Sequence, residues 1–353
     1  MKKGEVINGY RILQDFTTAG GGLSKWTFAV KGGKEYFIKE FLQPKYPTDD
    51  SPGSELTKRE KRKSCEEFEG HHRVLMEKLS SRSTDGGNLI VTIDFFRHGP
   101  KYYKVTDKVD VKGLKVANIA AASWEIKKLI LLTVAHSLRI LHQAGVVHGD
   151  LKPDNILIKE SAKGGYVAKL IDFDNSYISG SPPPTAEETV GDPVYYSPEL
   201  LRYVMRDKEV RPTHLQLKSD MFALGLIYTE FLTGKLPSFD KKKYQYACEA
   251  VNAGCTLTTS GISEPAATLI SKMLHSSYDQ RPTIEEAFTT IKSGRIAKEP
   301  ETLEKPKERG ATGVLRGTLL IKAAAGTDLT EDKKKSHPAS GTGLSGTLIR
   351  SKS

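Results

Sequence analysis

The run His148-Gly149-Asp150-Leu151-Lys152-Pro153-Asp154-Asn155 sets the tightest limit on what this chain can fold into. It follows a helical segment ending near Ala144 and leads directly into the apolar Ile156-Leu157-Ile158. Seventeen residues past Asn155 comes Asp172, in Lys169-Leu170-Ile171-Asp172-Phe173-Asp174. Polar, rotation-restricting loops that abut short β runs bring several carboxylates toward one point. Asp150 can accept a proton, Lys152 can neutralise a transferred anion, and Asn155 with Asp172 can hold a hard divalent cation through oxygen. Oxygen donors of this kind suit magnesium over zinc.

The surrounding pattern changes character along the chain. Residues 5–40 read as strands, with Gly32-Gly33 between two aromatic and β-branched runs as a hairpin signal. Residues 43–60, rich in Pro, Asp, Ser and Gly, read as a loop. Phe68, His72, Leu75, Met76 and Leu79 then follow helical spacing over Cys65–Leu79, and strands are expected at Leu89–Phe96 and Tyr102–Thr106. Beyond about residue 110, helices are predicted at Ser123–Ala144, Lys218–Leu232, Glu264–Leu274 and Ile284–Ile291. The expected fold class is α+β: a small β-rich lobe, a larger helical lobe, and a ligand cleft between them.

Charge and cysteine content narrow the setting. The chain carries 53 Lys and Arg against 43 Asp and Glu, a net charge of +10. Residues 293–353 hold 12 of those bases and only seven acids, so half the excess lies in a tail without periodicity. Within it, Gly317-Thr318-Leu319-Leu320-Ile321-Lys322 is echoed by Gly346-Thr347-Leu348-Ile349-Arg350, which reads as a linear motif used twice or as a chance echo between low-complexity pieces. A flexible substrate or docking appendage is expected there, ahead of nucleic-acid binding. Cys65, Cys248 and Cys255 are too few for a disulfide framework and lack metal-ligand spacing, which fits a reducing, cytoplasmic setting. Neither the polar start nor the window Ile126–Leu141, interrupted by Lys127, Lys128, His136 and Arg139, predicts a secretory signal or membrane span.

The run 148–155 resembles the catalytic loop of protein kinases, and Asp172-Phe173-Asp174 resembles the family's metal-binding element. Further landmarks follow in family order. Gly191–Glu199 resembles the peptide-docking loop, Ser219–Gly225 the central helix of the large lobe, and Asp279–Thr283 the late arginine motif, whose Arg281 would pair with Glu199. The resemblance covers residues 8–292, divided into a small lobe 8–107 and a large lobe 108–292. It implies ATP and Mg2+ as cofactors, with Asp150, Lys152 and Asn155 as catalytic residues and Asn155 with Asp172 as metal ligands. Lys39 would grip the α and β phosphates, Gly20, Gly21 and Gly22 would form the phosphate lid, and backbone groups of Asp107 and Val109 would bind adenine beside Thr106. The helix carboxylate that holds Lys39 in this family is assigned to Glu69, although counting back from Leu75 puts His71 in that place.

Four positions depart from the family pattern. Ser24 stands for the third lid glycine, and Gly149 replaces the arginine that meets a phosphorylated activation loop. Asp174 replaces a glycine and is expected to face solvent, with an added metal ligand as the alternative, and Asp192 replaces a docking-loop threonine. None removes a group that phosphoryl transfer requires. Lys152, two residues past Asp150, matches the serine/threonine branch, and the compact form, the tail and the lack of a predicted membrane anchor suggest a soluble, bacterial-type signalling kinase. The implied activity is therefore a serine/threonine protein kinase. Self-phosphorylation at Thr185, Thr189 and the tail is expected, as is a cognate phosphatase or phosphopeptide-binding partner working through the tail. A pseudokinase scaffold and a small-molecule kinase are the alternatives, and the docking loop with Arg281 speaks for a protein substrate over the latter.

Overall fold

A computed structural model describes residues 1–18, 24–80, 87–109, 113–161, 165–183, 191–264 and 266–293. Gly20, Gly21, Gly22, Thr185, Thr189 and the tail with its repeated element lie outside the described residues. The architecture is α+β and bilobal. The small lobe is built on β1 (Val6–Ile7), β2 (Tyr10–Ile12), β3 (Ser24–Lys31) and β4 (Lys34–Phe41), followed by helix α1 (Glu55–Ser80). It is completed by β5 (Thr92–His98) and β6 (Lys101–Asp107). These form one six-stranded antiparallel sheet in the order β1-β2-β3-β4-β6-β5. The Gly32-Gly33 turn closes β3 onto β4 with Lys31 opposite Lys34, and both glycines take positive φ, as a two-residue hairpin of this twist demands.

Helix α1 begins well before the apolar spacing that announces it, inside the stretch expected to be a loop. Its first turns, Glu55 to Ser64, are charged all round and so carry no hydrophobic period. Ser54 caps them by accepting from Thr57 N at 3.2 Å, and Lys58–Glu55 and Lys63–Glu67 pairs run along the exposed surface. The later turns do follow the predicted stripe. Cys65, His72, Leu75 and Leu79 are buried. Leu75 and Leu79 join the core of the large lobe while Cys65 packs with Phe41 and Tyr102 of the small one, so α1 ties the lobes together.

The large lobe runs α2 (Val116–Ala120), α3 (Trp124–Gln143), β7 (Val146–Val147), β8 (Ile156–Glu160), β9 (Tyr166–Leu170) and β10 (Tyr177–Ile178). After these come α4 (Pro198–Val204), α5 (Leu217–Thr233), α6 (Ala247–Asn252), α7 (Ala266–Met273) and α8 (Ile284–Lys292). Helix α5 is buried on nearly every face and ends at Gly234 in the left-handed conformation. The two short ladders, β8 with β9 and β7 with β10, hold the intervening loops against α3 and α5. Among the described residues, no helix is long and apolar enough to cross a membrane, and all three cysteines are unpaired.

Candidate active site

The loop 148–155 is fixed by its backbone before its side chains matter. Asp220, 3% exposed and in the first turn of α5, accepts from His148 N at 2.8 Å and Gly149 N at 3.2 Å. The same carboxylate meets His142 Nε2 at 2.9 Å, and the positive end of the α5 dipole favours its charge. His148 lies fully buried against the Phe173 ring, with Nε2 3.1 Å from Ile171 O. Ile171 N donates to Asn155 O at 3.0 Å, so the β8–β9 ladder sets Asn155 beside the chain that delivers Asp172.

Gly149 has a structural reason to replace arginine. Its φ is +76°, and a Cβ there would stand 2.2 Å from Asn175 O. The left-handed conformation alone costs an L-residue about 1–2 kcal/mol, and the backbone contact adds to it. Gly149→Ala is expected to lower thermal stability and to reduce turnover by displacing the loop. A melting curve and an activity assay matching the parent chain would refute this account of the glycine.

Asp150 is the centre of the loop. Its Oδ1 accepts from Asp192 N at 3.0 Å, and its Oδ2 accepts from Asn155 Nδ2 at 3.0 Å and pairs with Lys152 Nζ at 3.0 Å. Asp192 thus contributes its backbone N–H to Asp150, while its own side chain caps the turn by accepting from Val194 N. Asn155 also donates to Asp150 O at 2.7 Å; with both amide hydrogens engaged, its Oδ1 is left as an acceptor.

Lys39, from β4, crosses between the lobes. Its Nζ donates to Asp172 Oδ1 at 2.8 Å and to Asp174 Oδ2 at 2.6 Å. Burial works against the ammonium, yet Asp174 and Asp172 outweigh it and hold the Lys39 pKa above the ordinary lysine range. Asp172 takes φ +60°, an unusual backbone for a non-glycine residue of the kind found at functional sites. Lys104 of β6, directly opposite Lys39 in the sheet, also donates to Asp174 and stands 3.9 Å from Asp172. Asp174 is therefore not solvent-facing, as expected from sequence, but lies between two lysines. Burial pushes its pKa up, and Lys104 and Lys39 together reverse that and hold it well below the carboxylate range.

The expected Lys39–Glu69 pair does not form. Glu69 accepts from Tyr102 OH at 2.6 Å and lies 4.0 Å from Arg97 Nε, toward the β5–β6 side of α1. His71 points instead to Ser176 O at 2.9 Å. The next residue, His72, is enclosed by Phe41, Phe68 and Phe95. Burial, helped by Lys104, His71 and Lys39 and opposed by Asp174, lowers its pKa to about 3, so the ring is neutral at physiological pH. Lys104 carried a signal in the sequence, since it is a charge between Tyr103 and Val105 in a strand-like run.

The remaining expected residues stand at the rim and base. Thr106 is buried near the end of β6, and Asp107 pairs its side chain with Lys34 at 2.5 Å while its backbone faces Tyr36 in the ladder. Val109 follows just beyond β6. Arg281 and Glu199 meet as expected, in a buried two-pronged pair with both N–O distances 2.7 Å. For a divalent cation, Asp172 offers a partly exposed carboxylate and Asn155 an open amide oxygen, a donor set that fits magnesium with the rest of its shell from phosphate and water.

A family model described as the protein kinase domain matches residues 55–290, a span that contains every one of these residues except those of β4. Serine/threonine-protein kinase dkf-1 of Caenorhabditis briggsae is 24% identical over 80% of this chain and 35% of its own length. The calcium and calcium/calmodulin-dependent serine/threonine-protein kinase DMI-3 of Medicago truncatula is 28% identical, over 57% of this chain and 38% of its own. The ovarian-specific serine/threonine-protein kinase Lok of Drosophila melanogaster is 29% identical, over 47% of this chain and 34% of its own. The chain thus spans little more than a third of the length of each of these relatives.

Proposed function

Because this chain belongs to the protein kinase family, we propose that it transfers the γ-phosphoryl group of ATP to serine and threonine hydroxyls of proteins. The observation that carries this reading is the ion pair from Lys39 of the small lobe to Asp172 of the large one, together with an Asp150 carboxylate held by three donors. Residues 8–292 would form the catalytic domain.

In that role Asp150 orients the attacking hydroxyl and takes its proton, for which a carboxylate fixed by donors is suited. Lys152, already 3.0 Å from Asp150, offsets charge on the group in transfer. Lys39 holds the α and β phosphates, and Asn155 and Asp172 hold magnesium, which neutralises charge on the phosphate oxygens when bound. The protein contributes position and electrostatics; the tight hydrogen bonding of the loop supplies the first. The serine/threonine specificity in the relatives' names, together with Lys152, supports hydroxyls of serine and threonine over tyrosine.

The test is incubation of the purified chain with γ-labelled ATP, magnesium and a basic protein substrate, followed by phosphoamino-acid analysis. Label on phosphoserine and phosphothreonine is expected, and label confined to phosphotyrosine would overturn the specificity. A second reading, a scaffold that holds nucleotide without turnover, is favoured by the engagement of Lys39 with Asp174. It predicts ATP binding with no label transferred.

A further inference from the structure

Two lysines directly opposite each other in an antiparallel ladder project from the same face, where like charges repel. Lys39 and Lys104 are such a pair, and both are buried, at 8% and 4% exposure. Burying two ammonium groups side by side requires carboxylates against them. Helix α1, the element that would be expected to supply one, presents the uncharged ring of His72 toward this site, and its Glu69 is committed to Tyr102 on the other side. The carboxylate comes from the large lobe instead.

We propose that Asp174 stands in for the absent helix carboxylate as the residue that positions Lys39, and that Lys104 is the second cation that keeps Asp174 in place. The proposal rests on the kinase reading for what Lys39 is positioned to do. Asp174 places one oxygen on each lysine, Oδ2 on Lys39 and Oδ1 on Lys104, and is the more enclosed of the two acids, its side chain 17% exposed against 37% for Asp172. Lys39 therefore keeps a fixed carboxylate when Asp172 turns to its own task. The four groups are electrically balanced, two ammonium ions against two carboxylates. A glutamate facing them from α1 would add an unmatched charge to a buried site. The departure at position 174 and the missing helix acid are then one rearrangement, in which the partner of Lys39 has moved from α1 to the segment after β9.

The experiment compares the full chain with Asp174→Asn and with the charge-neutral double variant Asp174→Asn/Lys104→Met. Each is measured for melting temperature, for affinity toward a fluorescent ATP analogue with magnesium, and for kcat and KM for ATP. The double variant keeps the Lys39–Asp172 pair and leaves no unmatched buried ammonium, so it is expected to fold even if the single variant does not. With its melting temperature near that of the parent, it is expected to bind the analogue about tenfold more weakly, and to lose roughly 10–100-fold in kcat, as misplacement of one positioning contact does. Parental affinity and turnover in the folded double variant would overturn the proposal. So would faster turnover, which would make Asp174 a restraint on Lys39. If the parent binds the analogue but transfers no phosphate, the kinase reading fails, and the affinity comparison still decides whether Asp174 positions Lys39.

Discussion

Replacing Asp150 by alanine is expected to lower kcat for phosphoryl transfer by about 10²–10⁴-fold, the contribution of a positioned general base. The nucleotide should still bind, because the groups assigned to its phosphates, Lys39 and Asp172, hold each other at 2.8 Å without help from Asp150. KM for ATP is therefore expected to stay within a few-fold of the parent. Alanine also frees the Asp192 N–H, the Asn155 amide and the Lys152 ammonium from their shared acceptor. Asp150→Asn separates the two effects, since it keeps the shape and one acceptor oxygen but not the base. An equal loss in both variants assigns the effect to proton acceptance, whereas activity retained in Asp150→Asn would remove Asp150 from that role. Steady-state kinetics with varied ATP and a fixed protein substrate make the measurement.

What the sequence disclosed and what it concealed divide along physical lines. Helices α3 and α8 bury apolar stripes and α5 is buried nearly all round, and the apolar pattern located each of them within a residue or two. The Gly32-Gly33 hairpin was equally legible, because two consecutive left-handed residues leave few alternatives to glycine. The beginning of α1 was not. Nine charged and polar residues and the exposed Leu56 form a solvated helical extension stabilised by a serine cap and surface pairs, and such a helix carries no apolar period to read. Ion partners were the least legible. Lys39 meets Asp172 across 133 positions of sequence and Asp174 across 135, so only the register of β4 on β6 and the placement of β9 bring them together. Helical period left Glu69 and His71 both open for the place facing Lys39, and neither takes it. A turn of about 100° per residue sends Glu69 to Tyr102 and leaves His72 facing the lysines. The residue types nonetheless left a trace, since a lysine between Tyr103 and Val105 in a strand buried on both faces demands a counter-charge.

Arg281→Met is expected to destabilise the large lobe by about 3–5 kcal/mol, the cost of leaving one member of a buried pair without its partner. Arg281 is 1% exposed and all its donors are engaged. Nη1 reaches Glu199 Oε1 and Lys218 O, Nη2 reaches Glu199 Oε2 and Ser276 O, and Nε reaches His275 O, all within 3.0 Å. Its removal strands the Glu199 carboxylate, 6% exposed, with the Ser219 hydroxyl at 2.8 Å as its one remaining side-chain donor among the described residues, and takes a donor from three backbone carbonyls. For a domain of this size, that loss corresponds to a fall in melting temperature of roughly 10 °C. The double variant Arg281→Met/Glu199→Leu removes both charges and is expected to recover much of the stability, because a buried ion pair and a packed apolar pair are often near parity. Activity should not recover with it. Glu199 sits in the first turn of α4, next to Ser197-Pro198, and the docking segment before them sends Asp192 N to Asp150, so the anchoring of Glu199 governs where the neighbour of Asp150 sits. Urea denaturation and transfer assays on the parent, the single and the double variant test both halves. A double variant no more stable than Arg281→Met would show that the backbone contacts of the guanidinium, not its charge, hold the lobe, and full activity in either variant would detach the Glu199 anchor from the position of Asp192.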